Sequence, residues 1–255
     1  MKSFLVRVFG FPATLIHGDT LVLDRWNWLK EHLPAIPMGS KILLDVGCGA
    51  GAFTIGSARR GYKALGLSWD ERNQRVAQQR AAICKVSLAQ FEVQDVRQLD
   101  QCLDLQNSFD IVVCCENIEH ILNDRKLMVD MSRCLKSGGT LLLTTPNFNY
   151  IPITKGDEGP FSKIEDGGHV RRGYTPEGLK DLCASAGLKV LKIGYCSGFI
   201  SQKATALLRT ASKVHPLFGW GLVLPLRVLP PFCDPWISKI ASWPEFSITL
   251  IATKI

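Results

Sequence analysis

Short apolar runs alternate with polar, helix-compatible stretches between Lys41 and Leu143, and this alternation constrains the possible fold most strongly. The runs, rich in Leu, Ile and Val, are Lys41–Val46, Lys63–Leu67, Ala89–Val93, Phe109–Cys115 and Gly139–Thr145. Such runs are typical of parallel strands that are covered on both faces. Asp70–Val86 and Asp124–Leu135 are predicted to be helices, and Ser137-Gly138-Gly139 is expected to end the second one. The pattern predicts a doubly wound α/β sheet.

The second half of the chain is less regular. Thr154–Gly173 is rich in Gly, Lys and acidic residues and is predicted to be a long active-site loop. Thr175 can cap a helix that begins at the proline following it. Leu188–Ile193 and Phe246–Ala252 are expected to be two closing strands, and residues 199–243 form an apolar insert between them. Near the other end of the chain, residues 19–33 are predicted to form a helix before the first strand.

Length and composition bound the class of protein. The chain has 255 residues, of which 46% are hydrophobic and 21% charged, so disorder as the main state is excluded. We expect one main domain at 41–198 and 244–255, a helical segment at 1–40 and the insert at 199–243. Nine scattered cysteines without a Cys-x-x-Cys pair indicate reduced thiols, and the amino terminus does not resemble a signal peptide. These features predict a cytoplasmic protein.

The strongest local motif is a strand that runs into three closely spaced glycines at Leu43–Gly51. Gly47, Gly49 and Gly51 allow a ligand to approach the backbone, and the helix that follows favours a carboxylate or phosphate at its amino terminus. Asp45 at the end of the strand would repel a pyrophosphate but suits a cationic amine. The motif therefore argues against a dinucleotide.

From Leu43 to Phe148 the chain resembles the class I S-adenosylmethionine-dependent methyltransferases. The resemblance implies a Rossmann-like, seven-stranded, mostly parallel sheet whose last strand, Phe246–Ala252, is reversed. It also implies S-adenosylmethionine as the cofactor. The residues expected to hold it are Asp45, Gly47, Cys48, Gly49, Gly51, Ser68, Trp69, Asp95, Val96 and Glu116. Asp95 matches the residue that binds the adenine amine, whereas Ser68 stands where many members have an acid that holds the ribose. Trp69 could cover the adenine.

A Glu-x-x-Glu-His pattern follows the fourth predicted strand. If the chain turns helical after Glu116, then Glu116, Glu119 and His120 share one face beside the transferred methyl group. The pattern resembles ubiquinone-pathway O-methyltransferases and small-RNA 2′-O-methyltransferases, in which it coordinates a divalent ion. His169 is the candidate for a fourth ligand of Mg²⁺ or Mn²⁺. Without a metal, His120 is the candidate general base, with Glu119 beside it.

The acceptor is the least constrained part of the prediction. Leu217–Phe232 is apolar, but it is too short, is broken by prolines and contains Arg227, so it is not expected to cross a bilayer. The insert is either a hydrophobic lid or a membrane-surface element, and both favour an amphiphilic or hydrophobic acceptor over a small polar metabolite. The predicted activity is O-methylation of a hydroxyl on an amphiphilic small molecule, a lipid-linked glycan or a secondary metabolite.

Alternative functions also remain open. One of them is RNA 2′-O-methylation, which the net charge of +7 and the family resemblance support. However, Arg171-Arg172 is the only basic cluster in the loop, and the sequence shows no RNA-binding module. Nucleic acid is therefore a disfavoured partner. N- or C-methylation and a non-catalytic cofactor-binding subunit are the others.

Overall fold

The computed structural model describes residues 3–16, 19–227 and 230–255. Val228 and Leu229 of the predicted insert, and residues 1, 2, 17 and 18 of the amino-terminal segment, lie outside the described residues. In chain order the elements are α1 (Phe4–Phe9), α2 (Pro12–Ile16), α3 (Leu21–His32), β1 (Ile42–Val46), α4 (Ala52–Arg59), β2 (Lys63–Ser68), α5 (Glu71–Ile83), β3 (Ala89–Val93), β4 (Phe109–Cys115), α6 (Asp124–Cys134), β5 (Leu135–Pro146), α7 (Pro176–Ser185), β6 (Leu188–Cys196), α8 (Phe199–Ala211), α9 (Pro216–Val223), α10 (Pro230–Ile240) and β7 (Ser247–Lys254).

The strands form one seven-stranded sheet in the order β3-β2-β1-β4-β5-β7-β6. Strands β1 to β5 pair in parallel, and β7 runs antiparallel to both β5 and β6. This arrangement confirms the predicted doubly wound sheet and its reversed last strand. The order changes direction at β1, and a sheet of this kind binds its ligands at the carboxyl ends of the strands next to such a point.

Side chains of the central strands point alternately to two hydrophobic cores. In β1, Leu43 packs into the core beneath α3, α4 and α5, whereas Leu44 packs into the core beneath α6 and α7. Because successive side chains of a strand leave on opposite faces, a continuous apolar run is needed to fill both cores. Asp70 begins α5 by accepting a hydrogen bond from the backbone N–H of Arg72 at 2.8 Å, as expected of an N-cap.

Strand β5 is longer than the sequence predicts. It begins at Leu135, directly after α6, so Ser137-Gly138-Gly139 lies within the strand and does not end the helix. The pairing with β4 shifts between Leu135 and Thr140, and Gly138 has a φ of 73° in the irregular segment. The prediction of a glycine stop was wrong because a bulge uses the same glycines.

The helices of residues 199–243 pack against the amino-terminal helices. Thr20 Oγ1, at the start of α3, donates a hydrogen bond to the carbonyl of Ser201 in α8 at 3.0 Å. Trp220 Nε1 in α9 donates one to the carbonyl of Ile16 in α2 at 3.1 Å. Leu21 of α3 also packs against Tyr150, which follows β5, and against Phe246, which directly precedes β7. The two segments together hold α3 beside the carboxyl edge of the sheet.

Replacement of Leu250 by Ala is expected to lower the free energy of unfolding by about 3 kcal/mol. Leu250 lies in β7, between β5 and β6, and its side chain is completely buried in a hydrophobic core. The matched control is Leu191→Ala, because Leu191 in β6 is 57% exposed. Denaturant-induced unfolding measures both variants, and equal losses of stability would contradict this account of the core.

Candidate active site

A cleft with a volume of about 340 Å³ lies at the carboxyl ends of β1, β2, β3 and β4. Seven residues that the sequence predicts for cofactor binding line it: Gly47, Gly49, Ser68, Trp69, Asp95, Val96 and Glu116. His120, from the predicted reacting centre, lines it too. The topology therefore brings residues from four separate turns to one site.

Asp45, Cys48 and Gly51 do not line the cleft but support the loop around it. Asp45 is buried and accepts a hydrogen bond from Thr54 Oγ1 at 2.6 Å, and burial raises its pKa to about 6. Gly51 has a φ of 79°, and an added Cβ would come within 2.7 Å of side-chain atoms of Ala77 and Phe91. Asp45 and Gly51 help to set the path of the glycine loop, and the predicted contact of all three residues with the cofactor stays a prediction.

Two features of the cleft fit a polar cofactor. Gly49 has a φ of 51°, and an added Cβ would meet no atom of the described residues within 4 Å, so the backbone is open to a ligand at this point. Asn117, which the sequence analysis missed, packs its side chain against Gly47 and also lines the cleft. Its buried Nδ2 has no hydrogen-bond partner among the residues described. A buried donor of this kind is costly unless a ligand accepts its hydrogen bond.

The loop that follows β5 is folded against the cleft through Arg97. Arg97 Nε lies 2.8 Å from Asp95 Oδ1, and Arg97 Nη1 lies 2.8 Å from Glu165 Oε2 in the loop. Glu165 Oε1 also accepts a hydrogen bond from the backbone N–H of Leu122 at 2.6 Å. The hydrogen bonds from Arg97 hold the pKa of Asp95 below its ordinary value. An adenine amine at Asp95 would share that carboxylate with Arg97.

Glu116 does not point towards the other members of the Glu-x-x-Glu-His pattern. Its φ is 50°, and the helical turn that follows is a short 3₁₀ segment, Ile118–His120, so the regular helical spacing does not apply. Glu116 Oε2 lies 3.0 Å from Arg25 Nη2, and Glu116 Oε1 accepts a hydrogen bond from Ser247 Oγ at 3.0 Å. Glu116 is therefore not placed to act as a metal ligand with Glu119 and His120, because both carboxylate oxygens of Glu116 contact Arg25 and Ser247.

Glu119, His120 and His169 form a compact group with one ligand atom from each within 4.8 Å of the others. Glu119 Oε1 lies 3.8 Å from His120 Nε2 and 4.0 Å from His169 Nε2. Glu119 Oε2 accepts a hydrogen bond from Thr145 Oγ1 at 3.1 Å, whereas the buried Oε1 has no hydrogen-bond partner in the described part of the chain. Loop residue His169 reaches the group because the N–H of Val170 donates to the carbonyl of Glu119 at 3.0 Å.

The protonation chemistry of this group suits a cation. Burial, together with the nearby charge of Glu116, raises the pKa of Glu119 well above its ordinary value, and the charge of Arg25 offsets this rise only in part, so a bound cation would favour the charged form. Burial and the neighbouring His120 lower the pKa of His169 to about 4, which leaves its imidazole neutral. His120 Nδ1 lies 3.0 Å from the carbonyl of Gly168, so a proton on Nδ1 leaves the lone pair of Nε2 facing Glu119. Two imidazoles and a carboxylate can hold Mg²⁺, Mn²⁺ or Zn²⁺.

The fold and the cleft define a class I, Rossmann-like methyltransferase with S-adenosylmethionine as its cofactor. A family model described as a methyltransferase domain matches residues 26–193. The chain belongs to this methyltransferase family, as the sequence predicts, and is an enzyme of that class.

Similar proteins support this assignment. The ubiquinone biosynthesis O-methyltransferases of Acinetobacter baylyi and Coxiella burnetii are each 30% identical to this chain, over 170 and 169 residues, covering 65% of it and 70% of their own length. Among solved structures, phosphoethanolamine N-methyltransferase 2 of Haemonchus contortus has a TM-score of 0.64 at 18% identity and covers 99% of this chain and 59% of its own. Geranyl diphosphate C-methyltransferase from Streptomyces coelicolor has a TM-score of 0.59 at 15% identity and covers 91% and 80%. At these identities the solved structures establish the fold alone.

Proposed function

We propose that the enzyme transfers the methyl group of S-adenosylmethionine to a hydroxyl oxygen of a small amphiphilic acceptor. The observation that carries this proposal is the position of the Glu119–His120–His169 group between two cavities. His120 lines the cofactor cleft, and His169 lines a second cavity of about 290 Å³. An acceptor in the second cavity would thus meet the methyl group at these side chains. The names of the related O-methyltransferases support the same acceptor atom.

The second cavity, which we name the acceptor cavity, suits a compound with an apolar body. Its walls include the aromatic rings of Tyr150, Phe161 and Phe246. Asp166 and His169 supply polar groups at the same cavity. Small-molecule sites of this size combine apolar walls with a few polar groups that fix the orientation of the ligand. A ring or isoprenoid-like body that carries a hydroxyl group fits this combination.

The chemistry requires alignment and removal of one proton. The acceptor oxygen attacks the methyl carbon, the carbon–sulfur bond breaks, S-adenosylhomocysteine leaves, and the hydroxyl proton goes to a base. His120 Nε2 can take this proton because its Nδ1 is committed to the carbonyl of Gly168. Alternatively, a divalent cation held by Glu119, His120 and His169 would occupy His120 Nε2, lower the pKa of the acceptor hydroxyl so that its proton passes to water, and favour the charged form of Glu119. Glu119 Oε1, which has no hydrogen-bond partner among the described residues, favours the version with a cation.

Transfer of label from S-adenosylmethionine to extracted small molecules tests the proposed acceptor. Lipid-soluble and water-soluble fractions of a cell extract are incubated separately with the enzyme and S-adenosylmethionine that carries a carbon-13 methyl group, and the carbon-13 chemical shift of the transferred methyl classifies the new bond. We expect an ether-linked methyl group in the lipid-soluble fraction. Label in a nitrogen- or carbon-linked product, or in RNA, would refute O-methylation of an amphiphilic compound.

Replacement of Phe161 by Ala is expected to lower kcat/KM for the acceptor by about tenfold, because it removes an apolar wall of the acceptor cavity. The affinity for S-adenosylmethionine should not change, since Phe161 does not line the cofactor cleft. The control is Ile164→Ala, because Ile164 lies in the same loop and is 66% exposed. Steady-state kinetics with each substrate varied in turn measure both effects. Equal losses in the two variants would contradict the assignment of this cavity to the acceptor.

A further inference from the structure

Two short helices expose large apolar side chains to solvent. In α1 these are Phe4, Val8 and Phe9, and in α9 they are Leu217, Phe218 and Leu222. Phe4 is 64% exposed and Phe218 is 56% exposed. None of these six side chains lines the cofactor cleft or the acceptor cavity. We name this set of six residues the apolar patch, and its exposure is not explained by methyl transfer.

Trp220 joins the two halves of the apolar patch. Its ring lies 6.5 Å from the ring of Phe9, and it packs against the small core formed by Leu5, Val6 and Ala13. Gly219 and Val223 of α9 are buried, so this helix turns one side inward and leaves the opposite side uncovered. Both helices therefore present apolar side chains from the same region of the molecule. Contiguous exposed apolar surface of this kind marks an interaction site.

The two segments that carry the apolar patch contain basic residues and no acidic ones. Residues 1–18 and 199–233 contain six Lys and Arg residues and no Asp or Glu, which accounts for nearly all of the formal net charge of +7. Arg209 is paired with Asp19 and Asp157, but Arg7 of α1 and Lys213, just before α9, are exposed. Residues 213–218 form an uninterrupted exposed stretch that begins with Lys213 and ends with Phe218. Each of the two segments thus carries an exposed basic side chain close in sequence to its exposed apolar side chains.

We propose that α1 and α9 dock the enzyme on the surface of an anionic lipid bilayer. The Phe side chains of the apolar patch enter the interface between headgroups and acyl chains, and Arg7 and Lys213 contact the lipid phosphates. The helices lie on the bilayer and do not cross it, because no helix of the described ranges is long and apolar enough to span a membrane. A second copy of the chain is a poorer occupant, since a symmetric contact would bring two basic surfaces together. A membrane contact in residues 199–243 is one of the expectations from the sequence. Within this range the proposed contact uses only α9, and it also includes α1.

Flotation of the full chain with lipid vesicles tests this proposal without an activity measurement. We expect binding to vesicles of equal parts phosphatidylglycerol and phosphatidylcholine and little binding to pure phosphatidylcholine. The variant F4S/F218S should bind the anionic vesicles about tenfold more weakly, and R7E/K213E should lose binding to a similar extent. The control is Leu103→Ser, because Leu103 is 75% exposed but lies outside both segments. Circular dichroism of every variant verifies that the fold is retained.

Three outcomes would overturn the proposal. Undiminished flotation of F4S/F218S, while Leu103→Ser also binds, would show that the apolar patch is not the contact. Equal binding to anionic and neutral vesicles would remove the role of Arg7 and Lys213. Sedimentation that detects a dimer in the parent chain and a monomer in F4S/F218S, without flotation of either, would assign the patch to a second copy.

Discussion

Replacement of His120 by Ala is expected to lower kcat by roughly 10²–10⁴-fold while the enzyme still binds S-adenosylmethionine. His120 lines the cofactor cleft, its ring lies 4.6 Å from that of His169, which lines the acceptor cavity, and its Nε2 lies 3.8 Å from Glu119 Oε1. If the group holds a cation, Glu119→Gln should be as inactive as His120→Ala, chelation should abolish turnover, and Mg²⁺ or Mn²⁺ should restore it. His32→Ala is the control, because His32 contacts the carbonyl of Trp28 and does not line the cleft.

Direct binding of Mn²⁺ separates the role of the cation from the role of a base. Calorimetry with Mn²⁺ alone should detect one site in the parent chain and a loss of about tenfold or more in affinity for Glu119→Gln and His169→Ala. Turnover that is unaffected by a chelator, with a large loss only in His120→Ala, would favour the metal-free version in which His120 is the general base. Normal turnover in both His120→Ala and Glu119→Gln would show that methyl transfer does not take place at this group of residues.

Replacement of Arg25 by Leu is expected to lower the free energy of unfolding by about 3 kcal/mol, because it leaves the carboxylate of Glu116 without its cation in a partly buried position. Burial acts to lower the pKa of Arg25, but Glu116 and neighbouring carboxylates raise it above its ordinary value. Arg25 Nη2 also donates to Ser247 Oγ at 3.3 Å, so one side chain joins α3, the end of β4 and β7. Denaturant-induced unfolding measures the loss.

The double variant R25L/E116Q is the matched control for this ion pair. It removes the unpaired charge, so we expect it to recover most of the lost stability. If R25L/E116Q keeps the full loss of stability, the effect of replacing Arg25 comes from packing alone. Cofactor affinity should be reduced in Arg25→Leu as well, because Glu116 lines the cleft and would no longer be held in place.

Much of the site could be predicted because it depends on the ends of strands. The carboxyl ends of parallel strands meet at one edge of a sheet, so predicting β1 to β4 already brings Gly47, Ser68, Asp95 and Glu116 together. Glu119 and His120 are neighbours in the sequence, so their proximity in the site could be predicted as well. Asn117 was missed although it lies between two predicted site residues, and its position directly after a strand was a usable signal.

The contacts that sequence reasoning missed join residues far apart in the chain. Arg25 reaches Ser247 across 222 positions and Arg97 reaches Glu165 across 68, and no periodicity indicates which charges will meet over such distances. For the same reason Glu116, which shares a sequence motif with Glu119, turns away from it towards Arg25.

The sequence by itself determined the alternating sheet and the glycine loop, because these depend on local periodicity and on a short motif, and the resemblance of its motifs to a known family implied the class of enzyme. Tertiary structure alone decided which charged side chains meet. It engaged Glu116 with a cation from α3, joined Arg97 to Glu165 of the loop, and left the apolar faces of α1 and α9 side by side. The physical reason is that a buried charge is costly unless an opposite charge lies close to it in the folded chain. Which residues lie close together in the folded chain cannot be deduced from the local sequence.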